Sequence, residues 1–259
     1  MKIKILVAAH KEFPMPNDKN LYLPVLVGAT QNYREGIDYQ RDDEGENISK
    51  KNPHYSELTA VYWAWKNLED VDAVGLVHYR RYFMGSAGLN LSGVLKSEDV
   101  EDILNSYEAI VPKKRNYYIE TNYSHFIHAH GSEALDMTRR IIQKAFPTYV
   151  QSFDSVIKKR SAHMFNMFIM KKEQFDKYCE WLFKILFQLE ATLDVSNYTG
   201  QEKRIFGYIS ELLLDVWLQR NQIKFKEVKW RQFGKKHTLN KLSNFLLRKF
   251  SLGGKQTHF

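Results

Sequence analysis

Short apolar runs alternate along the chain with longer segments in which apolar residues recur every three or four positions. The short runs are typical of buried strands, and the longer segments are typical of amphipathic helices. The runs predicted as strands are 4–9, 22–28, 73–77, 109–111, 164–170 and, at an edge, 225–228. The segments predicted as helices are 52–67, 99–106, 133–145, 149–159, 173–189 and 201–219. This alternation predicts an α/β protein whose mixed sheet is flanked by helices, with a largely helical C-terminal part.

The region around the first predicted helix contains two further local signals. Ser56 directly precedes the apolar residues of the helix at 52–67, so it is expected to be the N-cap, although the Glu of a full capping box is missing. The preceding stretch, 33–52, is polar and carries an acidic run at 42–46. This stretch is predicted to be a solvated loop, or one that becomes ordered over a ligand.

Cationic side chains directly follow the predicted strand at 73–77. His78, Arg80 and Arg81 stand at the point where the apolar run ends. In open α/β sheets, ligands bind beyond the carboxyl ends of the strands. Arginine offers a planar set of donors that matches phosphate oxygens. The sequence therefore predicts an anion site here, with the alternative that the arginines pair with carboxylates or lie in solvent.

Three histidines lie close together in the segment 123–131. A strand would place His128 and His130 on one face, whereas a helix would place His125 and His128 together. A zinc site would need a third or fourth ligand, and the single cysteine, Cys179, is distant in sequence. Contact with a polar substrate and an ordinary structural role both stay open for these histidines.

Composition narrows the class of protein. The 259 residues carry a formal net charge of +8, which suits an anionic partner. A lone cysteine excludes an intramolecular disulfide and fits a reducing, cytoplasmic location. The first apolar run is too short for a signal peptide, and no run of eighteen apolar residues occurs that could span a membrane.

The last 25 residues, 235–259, differ from the rest and are predicted to form a separate basic tail behind a domain at 1–234. All six formal charges of the tail are positive, and Leu239, Leu242, Leu246 and Phe250 recur at helical spacing. A basic amphipathic helix of this kind can lie on an anionic membrane surface. The alternatives are a helix packed on the domain and a disordered tail.

Four blocks of the sequence resemble a bacterial family of capsular and exopolysaccharide glycosyltransferases long catalogued as a domain of unknown function. The first two are 47–67 and 75–82, which end in Trp-Ala-Trp-Lys-Asn and in His-Tyr-Arg-Arg-Tyr. The later ones are 163–170 and 206–213, His-Met-Phe-Asn-Met-Phe-Ile-Met and Phe-Gly-Tyr-Ile-Ser-Glu-Leu-Leu. The resemblance covers nearly the whole chain, from Lys2 to Trp230.

This resemblance implies a sugar transferase with a GT-A-like fold that uses a nucleotide-activated donor. Within the family, the implied reaction is inverting transfer of galactofuranose from a uridine-diphosphate donor to a growing capsular, O-antigen or exopolysaccharide glycan, with a lipid-linked or oligosaccharide acceptor. A retaining galactosyl or glucosyl transferase of the same architecture is the alternative. A non-enzymatic nucleic-acid-binding protein is a distant one, because the cations concentrate at strand ends and in the tail instead of following one groove.

The expected metal motif of GT-A folds is replaced in this chain. His78-Tyr79-Arg80 occupies the position where such folds usually carry an Asp-x-Asp pair, and a guanidinium cannot be a metal ligand. Asp70 and Asp72 stand before the strand, at its wrong end. The sequence therefore predicts no cofactor and no metal, with arginines as the counter-charge of the leaving nucleotide; Mn²⁺ or Mg²⁺ is the alternative.

The resemblance and the strand ends together give a set of candidate site residues. The expected donor-binding residues are Ala9, His10, Lys11, Asn52, Tyr55, Glu57, Lys66, His78, Arg80 and Arg81. The expected acceptor-binding residues are His125, His130 and Asn166. Inversion needs a carboxylate that takes the proton of the acceptor hydroxyl, and Glu211 is the predicted base, with Glu57 and Asp194 in reserve.

Overall fold

A computed structural model of the chain describes residues 1–85 and 88–234. The predicted basic tail at 235–259, and with it the predicted membrane contact, lies outside the described residues. Within the described ranges, no helix is both long enough and apolar enough to cross a membrane.

The structure is an α/β fold built on one large mixed sheet, as the alternation of apolar runs and amphipathic segments predicts. The strands are β1 (Ile3–Ala9), β2 (Tyr22–Leu26), β3 (Gln40–Arg41), β4 (Ala73–His78), β5 (Arg81–Phe83), β6 (Ala109–Pro112), β7 (Arg115–Asn116), β8 (Ser161–Ala162), β9 (Phe168–Lys171), β10 (Phe225–Val228) and β11 (Trp230–Gln232). The helices are α1 (Ala29–Asn32), α2 (Asn52–Tyr55), α3 (Leu58–Asn67), α4 (Ser97–Ser106), α5 (Asn122–His130), α6 (Glu133–Ala145), α7 (Val150–Lys158), α8 (Lys172–Thr192) and α9 (Ile205–Arg220).

Strand directions bring many chain segments to one edge of the sheet. The order is β10-β6-β9-β4-β1-β2-β3, and β5 pairs with β4 and β11. Strands β4, β1 and β2 are parallel to one another, whereas β9 runs antiparallel between β4 and β6. The carboxyl ends of β1, β2, β4 and β6 therefore meet the amino end of β9 at the same edge, which we call the carboxyl edge.

Alternate residues of the central strands face two separate cores. Leu6 and Leu76 point to a core formed with α3 and α6–α9, whereas Ile5 and Val77 point to a core that includes α4. The centre of the sheet leaves no room for a side chain at Gly75, since a Cβ there would lie 2.8 Å from Ile169 Cγ1. Both faces of the sheet are covered, which explains the near-continuous apolar runs of its strands.

The structure corrects three local predictions. The helix predicted at 52–67 is broken at Ser56, whose φ of 52° ends α2, so Glu57 and not Ser56 precedes α3. The strand predicted at 164–170 begins only at Phe168, because Phe165 and Asn166 also have positive φ. Asp42, predicted to lie in a solvated loop, is 0% exposed and accepts hydrogen bonds from the backbone N–H groups of Gly28 and Ala29.

Candidate functional site

Glu57 is a buried carboxylate at the carboxyl edge, held at the start of a helix. The turn at Ser56 places Glu57 at the N-cap of α3, where the helix dipole favours a negative charge. Glu57 is only 7% exposed. A buried carboxylate needs compensating partners, and the neighbouring elements supply them.

Asn166 is the first of these partners. Its Nδ2 donates to Glu57 Oε1 at 2.7 Å and to the backbone carbonyl of Gly207 at 3.1 Å, and its Oδ1 accepts from Ser210 Oγ at 2.7 Å. The side chain is 1% exposed. Protein partners occupy both of its amide hydrogens, so Asn166 links Glu57 to α9 from the turn that precedes β9. The predicted contact of Asn166 with an acceptor is not tested by this geometry and stays a prediction.

Arg204, which the sequence analysis missed, is the second partner of Glu57. Its Nε donates to Ser56 Oγ at 2.8 Å, and its guanidinium lies 3.5 Å from Glu57 Oε2. The 3₁₀ turn that carries it, Glu202–Arg204, leads directly into α9. The available signal was its position two residues before the Phe206-Gly207-Tyr208 block.

His78 is the third neighbouring group that acts on Glu57. Its Nε2 donates to the backbone carbonyl of Phe165 at 2.6 Å, since a carbonyl only accepts. Burial lowers the pKa of His78 and so favours the neutral imidazole, although Glu57 acts in the opposite direction. Burial alone would raise the pKa of Glu57, but His78, Arg204 and the Asn166 amide together hold it below its ordinary value. Glu57 is therefore the ionised carboxylate of this group.

Glu211, on α9, is a second buried carboxyl in the same group. Its environment raises its pKa, whereas that of Glu57 lowers the pKa of Glu57. Burial and the negative charge of Glu57 raise the pKa of Glu211 to about 8. A hydrogen bond with the backbone of Phe165 and the positive charges of Arg204 and Arg81 act to lower it. Glu211 is 9% exposed. Two carboxyl groups whose environments separate their pKa values are typical of acid–base sites.

The two predicted arginines after β4 diverge. Arg81 turns inward, with its guanidinium 4.3 Å from the centre of the Phe165 ring; burial lowers its pKa, and Glu211 and Glu57 oppose that shift. Arg80 is exposed and lies over the rings of Phe13 and Tyr79, at 5.6 and 5.1 Å. The structure thus brings Arg81, and not Arg80, to the two glutamates.

The end of β1 forms an aromatic group next to Arg80. Phe13 stacks on Tyr79 with ring centres 3.8 Å apart, and His10 packs edge-on against both. Lys11 lies over Phe13 at 5.5 Å, while Ala9 is buried at the strand end. Flat rings and exposed cations therefore lie on the rim of the carboxyl edge, beside the glutamates.

The structure places four other candidates outside this group. Tyr55 is fully buried, and its hydroxyl donates to Glu190 at 3.1 Å. Lys66 lies about 13 Å further along α3 than Glu57 and pairs with Glu46 at 3.5 Å. The amide of Asn52 donates to the backbone carbonyl of Ser56, and its side chain packs under Gly28. Asp194 is exposed after the end of α8 and accepts a hydrogen bond from the backbone N–H of Ser196.

The histidine segment is helical and borders the Glu211 side of the site. His125 and His128 share a face of α5, and each bonds Glu120 at 2.8 Å. His125 stacks on Tyr117 at 4.0 Å, and His130 stacks on Tyr208 at 4.4 Å. The charge of Glu211 acts on both tyrosines, so the two predicted acceptor histidines stack on rings that border the Glu211 side of the site.

The described part of the chain contains no cluster of three or more histidine, cysteine, aspartate or glutamate side chains that could hold a metal ion. The predicted metal independence is not tested by this geometry and stays a prediction.

Comparisons with known proteins identify one family and one similar solved structure. The model of the family described as Domain of unknown function (DUF4422) matches residues 4–222, so the chain belongs to that family. A comparison with curated proteins finds no match. A solved structure, that of the WbbM bifunctional glycosyltransferase in its apo form, is similar with a TM-score of 0.81 and 30% sequence identity. The similarity covers 91% of this chain and 46% of that one, so this chain spans about half the length of its structural relative.

Proposed function

We propose that this DUF4422 protein is a glycosyltransferase that moves a sugar from a nucleoside-diphosphate-sugar donor to a glycan hydroxyl. The observation that carries the proposal is the pair of buried glutamates with opposed pKa shifts, Glu57 and Glu211, set among the guanidiniums of Arg81 and Arg204. The similarity to a bifunctional glycosyltransferase over 91% of the chain supports it.

The donor diphosphate would bind between Arg81 and Arg204. Burial makes charge-assisted hydrogen bonds stronger than they would be in water, and a guanidinium binds two phosphate oxygens at once. As the bond between the anomeric carbon and the diphosphate breaks, its electrons pass to the phosphate oxygen, where these cations stabilise the growing charge. The rings of Phe13 and Tyr79 lie on the rim, where a nucleotide base would stack.

Glu211 would be the general base. The oxygen of the acceptor hydroxyl forms the new bond to the anomeric carbon, and its proton passes to the Glu211 carboxylate. With a pKa of about 8, Glu211 is ionised in a minority of molecules at neutral pH, and activity should rise as it ionises. Glu57, kept ionised by Arg204 and Asn166, is better placed to hold the arginines than to take a proton.

The proposed donor is uridine-diphosphate galactofuranose, with inversion and without a metal, as the resemblance of the sequence implies. The proposed acceptor is a growing capsular, O-antigen or exopolysaccharide glycan. The retaining galactosyl or glucosyl transferase is the second candidate, because a buried carboxylate beside the donor could also serve a retaining reaction.

A panel of nucleotide sugars tests both candidates. The full-length protein is incubated with each donor and an oligosaccharide acceptor, and release of nucleoside diphosphate is followed together with the anomeric configuration of the product by NMR. Transfer from uridine-diphosphate galactofuranose with inversion is expected. Transfer with retention would favour the second candidate, and no turnover of any donor, together with no binding of uridine diphosphate, would reject the proposed function.

A further inference from the structure

Two large apolar side chains project from the loop between β7 and α5. Tyr118 is 80% exposed and Ile119 is 58% exposed, whereas the preceding Tyr117 is buried beside the site. Single exposed apolar residues are common on protein surfaces, but two adjacent ones at a loop tip are typical of an interaction surface.

The backbone at Tyr118 is in an unfavourable conformation that directs this pair outward. The N–H of Ile119 donates to the carbonyl of Tyr117 at 2.6 Å, and Tyr118 between them has a φ of 59°. This is a γ-turn of the rare type, and a bulky residue with positive φ is disfavoured there. Strain of this kind persists where the surrounding structure enforces it and is concentrated at functional sites.

A run of three cationic residues, which includes Arg160, lies beside the exposed pair. The carbonyl of Arg160 accepts from the N–H of Tyr117 at 2.8 Å, and Arg160 Nη1 donates to the Tyr118 carbonyl at 3.4 Å. Lys158, Lys159 and Arg160 are all exposed, and none of the three forms an ion pair with another residue of the described ranges. We call Tyr118, Ile119, Lys158, Lys159 and Arg160 the basic tip.

We propose that the basic tip docks on an anionic lipid bilayer. An aromatic ring and an aliphatic side chain suit the boundary between headgroups and acyl chains, and neighbouring cations are attracted to anionic headgroups. The pairing of apolar and cationic groups favours a membrane over a neutral glycan, which offers the three cations no counter-charge. The predicted basic tail is a different segment, and the basic tip needs no contribution from it.

This surface adjoins the proposed acceptor side of the site. Tyr117, whose pKa is raised by burial and by the charge of Glu211, is next to Tyr118 in the chain. A membrane that holds the basic tip would therefore lie beside the Glu211 side of the carboxyl edge, where a lipid-linked acceptor would arrive.

Vesicle sedimentation tests the proposal without nucleotide sugar, so its outcome is independent of the proposed catalytic function. Full-length protein is mixed with vesicles of phosphatidylcholine alone or with about 30% phosphatidylglycerol, and the partition coefficient is measured. Binding to the anionic vesicles only is expected. Any contribution of residues 235–259 is the same in every variant.

Tyr118→Gly is the decisive variant, because glycine adopts a positive φ without penalty and the turn is preserved. Its melting temperature should be equal to or above that of the parent, while vesicle partitioning falls about tenfold when Ile119→Ser is added. Leu89→Ser, which removes another exposed apolar residue, is the matched control and should leave partitioning unchanged.

Charge neutralisation tests the second half of the surface. Lys158→Gln, Lys159→Gln and Arg160→Gln together should lower partitioning about tenfold or more. Neutralising Lys19, Arg34 and Lys50, which are exposed near β2 and β3 at the other end of the sheet, should have a smaller effect. Unchanged vesicle binding in the basic-tip variants, or loss of affinity for an oligosaccharide with vesicle binding intact, would overturn the proposal.

Discussion

Asn166 and Glu57 are joined by a 2.7 Å hydrogen bond from Nδ2 of the amide to Oε1 of the carboxylate. The bond connects the strained turn before β9 with the N-cap residue of α3, across the carboxyl edge. It helps to keep Glu57 ionised and thereby raises the pKa of Glu211, because the two carboxyl groups repel each other when both are charged.

Replacing the amide should therefore destabilise the protein. Asn166→Asp would set a second carboxyl against Glu57, with no N–H group to donate, and about 2 kcal/mol of unfolding free energy should be lost at neutral pH. The loss should be smaller near pH 5, where the pair can share a proton. Urea denaturation at both pH values measures this, with the exposed Asn116→Asp as control; equal losses at the two positions would contradict the assigned role of Asn166.

Glu211→Gln tests the proposed base. Glutamine keeps the shape of the side chain but cannot accept a proton, so kcat should fall about 10²–10⁴-fold while the affinity for uridine diphosphate changes little. In the parent, the rate should rise with pH towards a plateau above an apparent pKa near 8. A variant with parental kcat, or a rate that falls between pH 6 and about 8, would exclude Glu211 as the base.

The same variant should alter the pH dependence of stability. The folded protein retains the Glu211 proton up to a pKa of about 8, whereas the unfolded chain releases it near the ordinary value of 4.5. The free energy of unfolding should therefore decline as pH rises from about 4.5 to about 8. Glu211→Gln avoids this loss and should be more stable than the parent by about 2 kcal/mol near pH 8.5, but not near pH 4.5.

Thermal or urea denaturation across that range gives the comparison. Glu173→Gln, at an exposed glutamate on α8, serves as the control and should not reproduce the crossover. A constant offset between Glu211→Gln and the parent at all pH values would show that the effect arises from packing and not from ionisation.

The inward and outward arginines should differ in their effect on donor binding. Arg81→Ala and Arg204→Ala should each weaken the binding of uridine diphosphate by about 1.5–3 kcal/mol, since both guanidiniums lie close to the buried glutamates. Arg80→Ala should cost less, because Arg80 is exposed over aromatic rings and its charge is screened by solvent. Isothermal titration calorimetry measures all three, and a larger loss for Arg80 would place the diphosphate on the rim.

Donor binding should not require a divalent metal. The position of the carboxylate pair after β4 is held by His78, Tyr79 and Arg80, and the guanidiniums offer the counter-charge that a metal otherwise supplies. The affinity for uridine diphosphate should survive excess chelator. A tenfold loss on chelation, restored by Mn²⁺, would refute this prediction.

Sequence periodicity accounted for the core strands and most helices because burial imposes a period of two or of three to four residues on the chain. The breaks were missed where single residues adopt a positive φ. Ser56 and Phe165 have side chains that are ordinary for a helix and a strand, and Asn166, which tolerates positive φ more readily, stands alone within an apolar run. The local pattern therefore did not locate these backbone changes. These changes are nevertheless what place Glu57, the Phe165 carbonyl and Asn166 at the carboxyl edge.

The sequence by itself determined the α/β class and the cations at the end of β4, because these depend on local composition. The role of Glu211 as base rests on a resemblance of short blocks and stays a prediction. Only the tertiary structure decided which groups meet. It turned Arg81 inward and Arg80 outward, placed Tyr55 and Lys66 elsewhere, and brought Arg204 to Glu57. Such contacts depend on the order of strands and on side-chain directions. Those of Asn166 and Arg204 with Glu57 join residues more than a hundred positions apart, which no local pattern encodes.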